Sequence, residues 1–187
     1  MIKLDNVTKS YGDNTVIKNF SLDIEDGSRI GIMGRSGEGK TTLVRLICGL
    51  EKADNGKIEI DGRISVMFQE DRLFEDMTVY KNILAVTGNS EKAEECLKGV
   101  EMWQDKDKKI KELSGGMARR VSLARALAFE HDVIILDEPF KGLDIEMRER
   151  VARFTYNMEK GKTVILITHD PLECNLLGID SIVSVSK

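Results

Sequence analysis

No run of apolar residues in this chain approaches the ~20 needed to cross a bilayer. The opening Met1-Ile2-Lys3-Leu4-Asp5-Asn6 has no pattern of a secretory signal. There is no basic excess: 28 Lys and Arg against 32 Asp and Glu give a formal charge of −4, without the positive footprint of a nucleic-acid binder. Only three cysteines occur (Cys48, Cys96 and Cys174), scattered and without C-x-x-C spacing. They read as small apolar residues in a reducing compartment rather than as a disulfide or zinc framework. Internal repeats, low-complexity tracts and interdomain linkers are also missing. These absences leave one domain that meets any membrane from the side. At 187 residues, 41% hydrophobic and 32% charged, the chain is long enough for a sizeable core.

The most informative stretch is residues 30–42, Ile-Gly-Ile-Met-Gly-Arg-Ser-Gly-Glu-Gly-Lys-Thr-Thr. Gly34, Gly39, Lys40 and Thr41 satisfy G-x-x-x-x-G-K-[ST], a phosphate-binding loop. Glycines let successive backbone N–H groups turn inward as a nest for phosphate oxygens. A helix starting near Lys40 adds the partial positive charge of its N-terminus. Lys40 can supply a full charge to the phosphates, and the Thr41 hydroxyl can ligate Mg²⁺. The apolar run Arg29–Met33 precedes the loop, and Leu43, Leu46, Ile47 and Leu50 follow at helical spacing, so the motif lies between a strand and a helix.

Upstream, residues 2–7 and 16–24 alternate as strands, with a turn at Ser10–Asn14. Tyr11 in that turn is either a surface tyrosine or an aromatic that stacks on a purine. Residues 57–60 alternate, Asp61-Gly62 predicts a hairpin turn, and 64–68 is a further strand. It ends on Gln69, either a metal or water ligand or simply the first solvated residue. Helical patterns cover 78–86 and 90–103; in the second, Ala93, Cys96, Leu97, Val100 and Trp103 share a face that reads as core. The charged stretch Lys106–Lys111 reads as a solvated linker. Ser114-Gly115-Gly116 then opens a helix running to about Phe129. Ser114 is a good N-cap, and the two glycines make the cap more open than capping requires, as either an anion site or a plain turn.

Val133-Ile134-Ile135-Leu136 runs directly into Asp137-Glu138. A continuous apolar run of this length reads as a strand buried on both faces, as in a parallel sheet. Asp137 can hold Mg²⁺ through water and Glu138 can take a proton from an attacking water; otherwise both acids cap a surface turn. Asp144 is a plausible N-cap for a helix to about Met158. Thr163–Ile167 is a second buried strand ending in Thr168-His169, and Asp170-Pro171-Leu172-Glu173 is a helix start. His169 therefore lies at a strand-to-helix joint, where open α/β sheets place their sites. Three apolar strands end in chemistry, and in a parallel sheet their ends share one edge. A nucleotide there meets Lys40, Thr41, Asp137, Glu138 and His169, which points to nucleotide hydrolysis.

In this order, the pieces resemble the ATP-binding cassette (ABC) ATPases along nearly the whole chain. Gly34–Thr42 resemble Walker A, Gln69 the Q-loop, Leu113–Met117 the signature, Val133–Glu138 Walker B, Gly142–Asp144 the D-loop and His169 the switch histidine. Tyr11 falls where that family has its adenine-stacking aromatic. The guanine-reading N-K-x-D of GTPases is absent, and the signature and D-loop argue against a small-molecule kinase.

The resemblance implies an α/β P-loop core with a mainly parallel sheet flanked by helices. It carries a small antiparallel β-subdomain and a small helical subdomain within one domain. The expected boundaries are 1–28 and 56–68 for the β-subdomain, 29–55 and 130–187 for the core, and 70–129 for the helical part. It implies that Gly34, Arg35, Ser36, Gly37, Glu38, Gly39, Lys40, Thr41 and Thr42 bind ATP, with Tyr11 on the base. Mg²⁺ would be held by Thr41, Gln69 and Asp137. Glu138 would activate water, His169 would sense the γ-phosphate, and Gln69 would link metal and water to the neighbouring subunit. Two cassettes would pack head to tail, so that Ser114, Gly115 and Gly116 grip the partner's nucleotide, with Asp144 in the D-loop.

The implied role is the ATPase subunit of a transporter, cytoplasmic and peripheral on the inner face of the membrane. Its partners would be ATP, a second ABC subunit and membrane-spanning permease subunits, with no nucleic acid. The rival reading is a non-transport cassette, an assembly or regulatory factor. Four departures stand out: Met117 and Arg119 replace commonly found glutamines, the stretch from Asp61 to Phe68 is compressed, and the chain stops just after its last strand, as in the short ATPases of bacterial importers.

Overall fold

The structure, a computed structural model, describes residues 1–34 and 37–185. The described residues form eight strands and six α-helices. The long strands β1 (Ile2–Tyr11) and β2 (Asn14–Ile24) form an antiparallel hairpin, and β4 (Asn55–Ile60) pairs antiparallel with the other edge of β1. The remaining strands are β3 (Arg29–Met33), β5 (Ile64–Met67), β6 (Val133–Asp137), β7 (Thr163–Ile167) and β8 (Ser181–Ser184). They make a second sheet in the order β5-β6-β7-β3-β8, and every pairing in it is parallel.

A parallel sheet must be covered on both faces, because its strands are joined by helices that pack back onto it. Side chains alternate across a strand, and the core divides accordingly. Val133, Ile135, Ile165, Ile167, Ile30 and Ile32 face α1 (Lys40–Ile47) and the antiparallel sheet. Ile134, Leu136, Val164 and Leu166 face the opposite layer, which contains α4 (Gly115–Ala128) and α5 (Ile145–Met158). Each fully buried aliphatic of this kind contributes about 1.5–3 kcal/mol. Helices α2 (Val79–Thr87) and α3 (Ser90–Gly99) pack with α4 in the same cluster. Gly99 closes α3 against α5, since a Cβ there would lie 2.2 Å from the Phe154 ring. No helix among the described residues is long and apolar enough to cross a membrane.

Three sequence expectations are corrected. The hairpin at Asp61-Gly62 does not form. The Arg63 N–H donates to the Asp132 carboxylate at 2.7 Å, and Asp132 N–H returns a bond to Arg63 O at 2.9 Å. These bonds carry the chain away from β4, and β5 pairs parallel with β6, from Ile64↔Val133 to Met67↔Leu136. Residues 64–67, expected in the antiparallel subdomain, therefore belong to the parallel sheet. The helix over 90–103 ends at Gly99, because Glu101 takes a left-handed φ of 56°. Trp103 is only half buried and meets Tyr80 edge-on at 6.3 Å. Lys106–Lys111 is not a loose linker: Val79 N–H bonds Lys108 O and Tyr80 N–H bonds Lys106 O, both at 2.9 Å. Those bonds satisfy amides that the first turn of α2 leaves open, and Ile110 from the same stretch is buried.

Candidate functional site

Four parallel strands deliver their carboxyl ends to one edge of the sheet. β3 runs into the glycine loop, and Gly39 caps α1 with a φ of 92°. A Cβ on Gly39 would sit 2.9 Å from the Val16 side chain, so glycine is required for space as well as conformation. Lys40 follows as the first helical residue, its ammonium donating to Gly34 O at 2.6 Å. β5 ends beside Gln69, β6 ends on Asp137 with Glu138 next, and the residue pair after β7 is Thr168-His169.

These ends enclose a cavity of about 570 Å³. Gly34, Gly37, Gly39, Lys40, Thr41, Thr42, Gln69, Asp137, Glu138 and His169 line it, which brings the candidate residues Lys40, Thr41, Asp137, Glu138 and His169 to one place. Val16 and Lys141 also line it. Neither was singled out from sequence: Val16 reads as one more strand residue, and Lys141 as one charge among many. Its only signal is position, three residues past Glu138.

The electrostatics of the cavity are unusual. Burial pushes the Asp137 carboxyl up to about 6, and the adjacent Glu138 charge adds to this, while Arg119, Lys40 and Lys141 pull the other way. A cation placed here would restore the ionised form. The Asp137 carboxylate, the Thr41 hydroxyl and the Gln69 amide are oxygen donors, the set that suits a hard ion such as Mg²⁺. Glu138 holds a left-handed backbone at φ 51°, sparsely populated for a residue with a side chain. Its N–H is fixed on Ile167 O at 2.8 Å, and its carboxylate meets His169 Nδ1 at 2.8 Å. That hydrogen bond, then the Glu138 charge, holds the His169 imidazole above its ordinary value. His169 is nevertheless open to solvent, with its side chain 77% exposed. The loop that carries it is braced from below: the Thr168 hydroxyl donates to the buried Glu173 carboxylate at 2.6 Å, and Asp170 pairs with Arg148 at 2.6 Å.

Other predicted residues lie elsewhere. Tyr11 is at the tip of the β1–β2 hairpin, exposed and outside the cavity lining, its hydroxyl bonded to Glu51. Ser114 caps α4, its hydroxyl accepting from Met117 N–H at 3.3 Å, and Gly115 has open space where a Cβ would be. Ser114, Gly115 and Gly116 do not line their own chain's cavity, and neither does Asp144, which caps α5 through Met147 N–H at 2.8 Å. Glu38 does not line it either. Arg35 and Ser36 lie outside the described residues.

A parallel α/β sheet with a glycine loop and carboxylates along its carboxyl edge defines the class of P-loop domains. Residues 17–141 match the ABC transporter family, and the chain belongs to that family. It is 38% identical to the aliphatic sulfonates import ATP-binding protein of Streptomyces avermitilis, over 95% of this chain and 70% of that protein. Identity is 37% to the sulfate/thiosulfate import ATP-binding protein of Vibrio cholerae and 35% to the spermidine/putrescine import ATP-binding protein of Haemophilus influenzae. Both alignments cover all of this chain, which spans only 56% of the length of those two relatives. Among solved structures, a dimeric ATP-binding cassette in a post-hydrolysis state bound to ADP and Pi superimposes with a TM-score of 0.91 at 31% identity, over 100% of this chain and 94% of that one.

Proposed function

We propose that this chain is the ATP-binding and ATP-hydrolysing subunit of an import transporter, working as a head-to-tail dimer on a separate membrane-spanning permease. The observation that carries the reading is the convergence of Lys40, Thr41, Gln69, Asp137, Glu138 and His169 on one cavity. The import names of the relatives support the direction of transport. Three different cargoes at similar identity give no ground for choosing one. Work on a permease places the chain peripherally on the cytoplasmic face of the cell membrane.

In this reading the glycine loop, including Arg35, Ser36 and Glu38, wraps the phosphates, and Lys40 neutralises the β- and γ-oxygens. Tyr11 stacks on the adenine. Thr41, Asp137 and Gln69 would hold Mg²⁺, which would neutralise charge on the phosphates when bound. Glu138, fixed at its N–H and carboxylate, is aimed to accept a proton from the attacking water. His169 supplies a donor beside it. The α4 N-terminus, with Ser114 and Gly115 exposed and Gly116 partly so, suits an anion presented by a second copy, and the D-loop that leads to Asp144 lies beside it: a Cβ on Gly116 would be 3.2 Å from Gly142 O. Dimeric cassettes among the similar structures support the second copy.

Size-exclusion chromatography of the Glu138→Gln protein with Mg-ATP tests the dimer. A nucleotide-dependent shift from monomer to dimer is expected, because closure needs ATP and reopening needs hydrolysis. A protein that binds ATP and stays monomeric would count against it.

A further inference from the structure

Arg119 lies on α4, five residues past the Ser114 cap, and is only 5% exposed. Its guanidinium points under the cavity floor. Nη1 donates to Phe68 O, Gln69 O and Asp71 Oδ1, each at 2.9 Å. Nε donates to Glu138 O at 3.0 Å, and Nη2 to Glu138 O at 2.7 Å and to Asp137 O. The carbonyls it satisfies lie where β5 and β6 end and the ladder no longer supplies partners. One side chain therefore ties the Gln69 turn, the Glu138 turn and α4 together.

We propose that Arg119 is a positioning residue for hydrolysis: it locks the backbones of Gln69 and Glu138 in register with each other and with the helix whose N-terminus carries Ser114–Gly116. The proposal rests on the function argued above.

The strained backbone of Glu138 makes the lock matter. Its N–H is held by Ile167 O and its carbonyl by two Arg119 N–H groups, so both of its peptide planes are pinned. Releasing the carbonyl lets the residue relax from φ 51° and swing its carboxylate from His169. A planar fork with five donors can serve these divergent acceptors at once. An amide offers two donors, and an ammonium offers three from a single point. Arg119 does not itself line the nucleotide cavity, and it meets Gln69, Asp137 and Glu138 through their backbone carbonyls rather than their side chains, so the loss should fall on turnover more than on binding.

The test compares Arg119→Gln and Arg119→Lys with the wild type in three measurements: Mg-ATP turnover, affinity for a fluorescent ATP analogue, and Tm. The expected result is a kcat reduced about 10- to 100-fold in Arg119→Gln, the scale of a sub-ångström to 1 Å misplacement. Arg119→Lys should be intermediate, and analogue affinity should stay within about threefold of wild type in both. An unchanged kcat in a folded variant overturns the proposal, and so does a parallel loss of affinity and kcat in both variants. If Arg119→Gln does not fold, Arg119→Lys decides, because it keeps the charge and most of the volume. A wild-type protein that does not hydrolyse ATP would instead remove the function on which the proposal rests.

Discussion

The two histidines of this chain each sit 2.8 Å from a glutamate, at opposite ends of one sheet. His131 precedes β6 and pairs with Glu159; the two side chains are 0% and 1% exposed. His169 follows β7 and pairs with Glu138, with its ring open to the cavity. The same pairing thus does two jobs. At the amino-terminal edge the pair is sealed under the sheet, with Lys162 3.5 Å from Glu159 and Arg29 donating to Glu159 O at 2.6 Å. That arrangement ties α5 to the sheet. At the carboxyl edge the strands stop, their ends face solvent, and the glutamate is held in a strained conformation. Access and backbone geometry, rather than residue type, separate the sealed pair from the accessible one.

Exchanging the histidines for alanine should split the two roles. His169→Ala is expected to lower ATP turnover by about 100-fold or more with little change in Tm. His131→Ala should leave turnover of the folded protein near wild type while lowering stability by about 1–3 kcal/mol, since it removes the nearest hydrogen-bond partner of a buried carboxylate. Turnover assays and denaturant titrations on both variants check this, and a shared phenotype would erase the distinction. Lys40→Ala probes the carboxyl edge alone. It should weaken ATP binding by about 10- to 150-fold, the worth of hydrogen bonds to a charged partner, as isothermal titration would read.

The smallest effect concerns Glu173, buried beneath the His169 loop. Burial raises its carboxyl above the ordinary value, against the Thr168 hydrogen bond. The folded state therefore holds this proton more tightly than the unfolded chain. Its contribution to stability is present at low pH and declines as pH rises from the ordinary carboxylate range through the raised value. Glu173→Gln keeps the acceptor for Thr168. It should raise Tm by a few degrees at pH 7.5, with the gain vanishing near pH 4. A constant difference across pH would contradict the assigned cause.

The carboxyl edge was largely legible in the sequence, because each contributor follows an apolar run: the glycine loop after β3, Asp137-Glu138 after β6, His169 after β7. The partner of β5, though not its end at Gln69, is hidden from the sequence. Four residues bearing Ile64, Val66 and Met67 cannot announce whether they pair parallel or antiparallel, and the Asp132 bonds that direct the chain to β6 come from 69 residues away. The end of α3 is hidden because helical spacing continues past Glu101, where the backbone turns left-handed, although Trp103 still packs against the core. Arg119 shows a deeper limit. Its acceptors are almost all backbone carbonyls, which carry no sequence signature, so only its presence where the family commonly has Gln marked the position. The buried His131–Glu159 pair was silent for the same reason, its members being joined only by the fold.

Phosphate release from saturating Mg-ATP, measured for wild type and Glu138→Gln side by side, bears most directly on the carboxyl edge as a hydrolytic site. Release by the wild type is expected to fall by about 10²–10⁴-fold in the variant, with ATP binding retained. Equal rates in the two proteins, or no ATP-dependent release by the wild type, would contradict it.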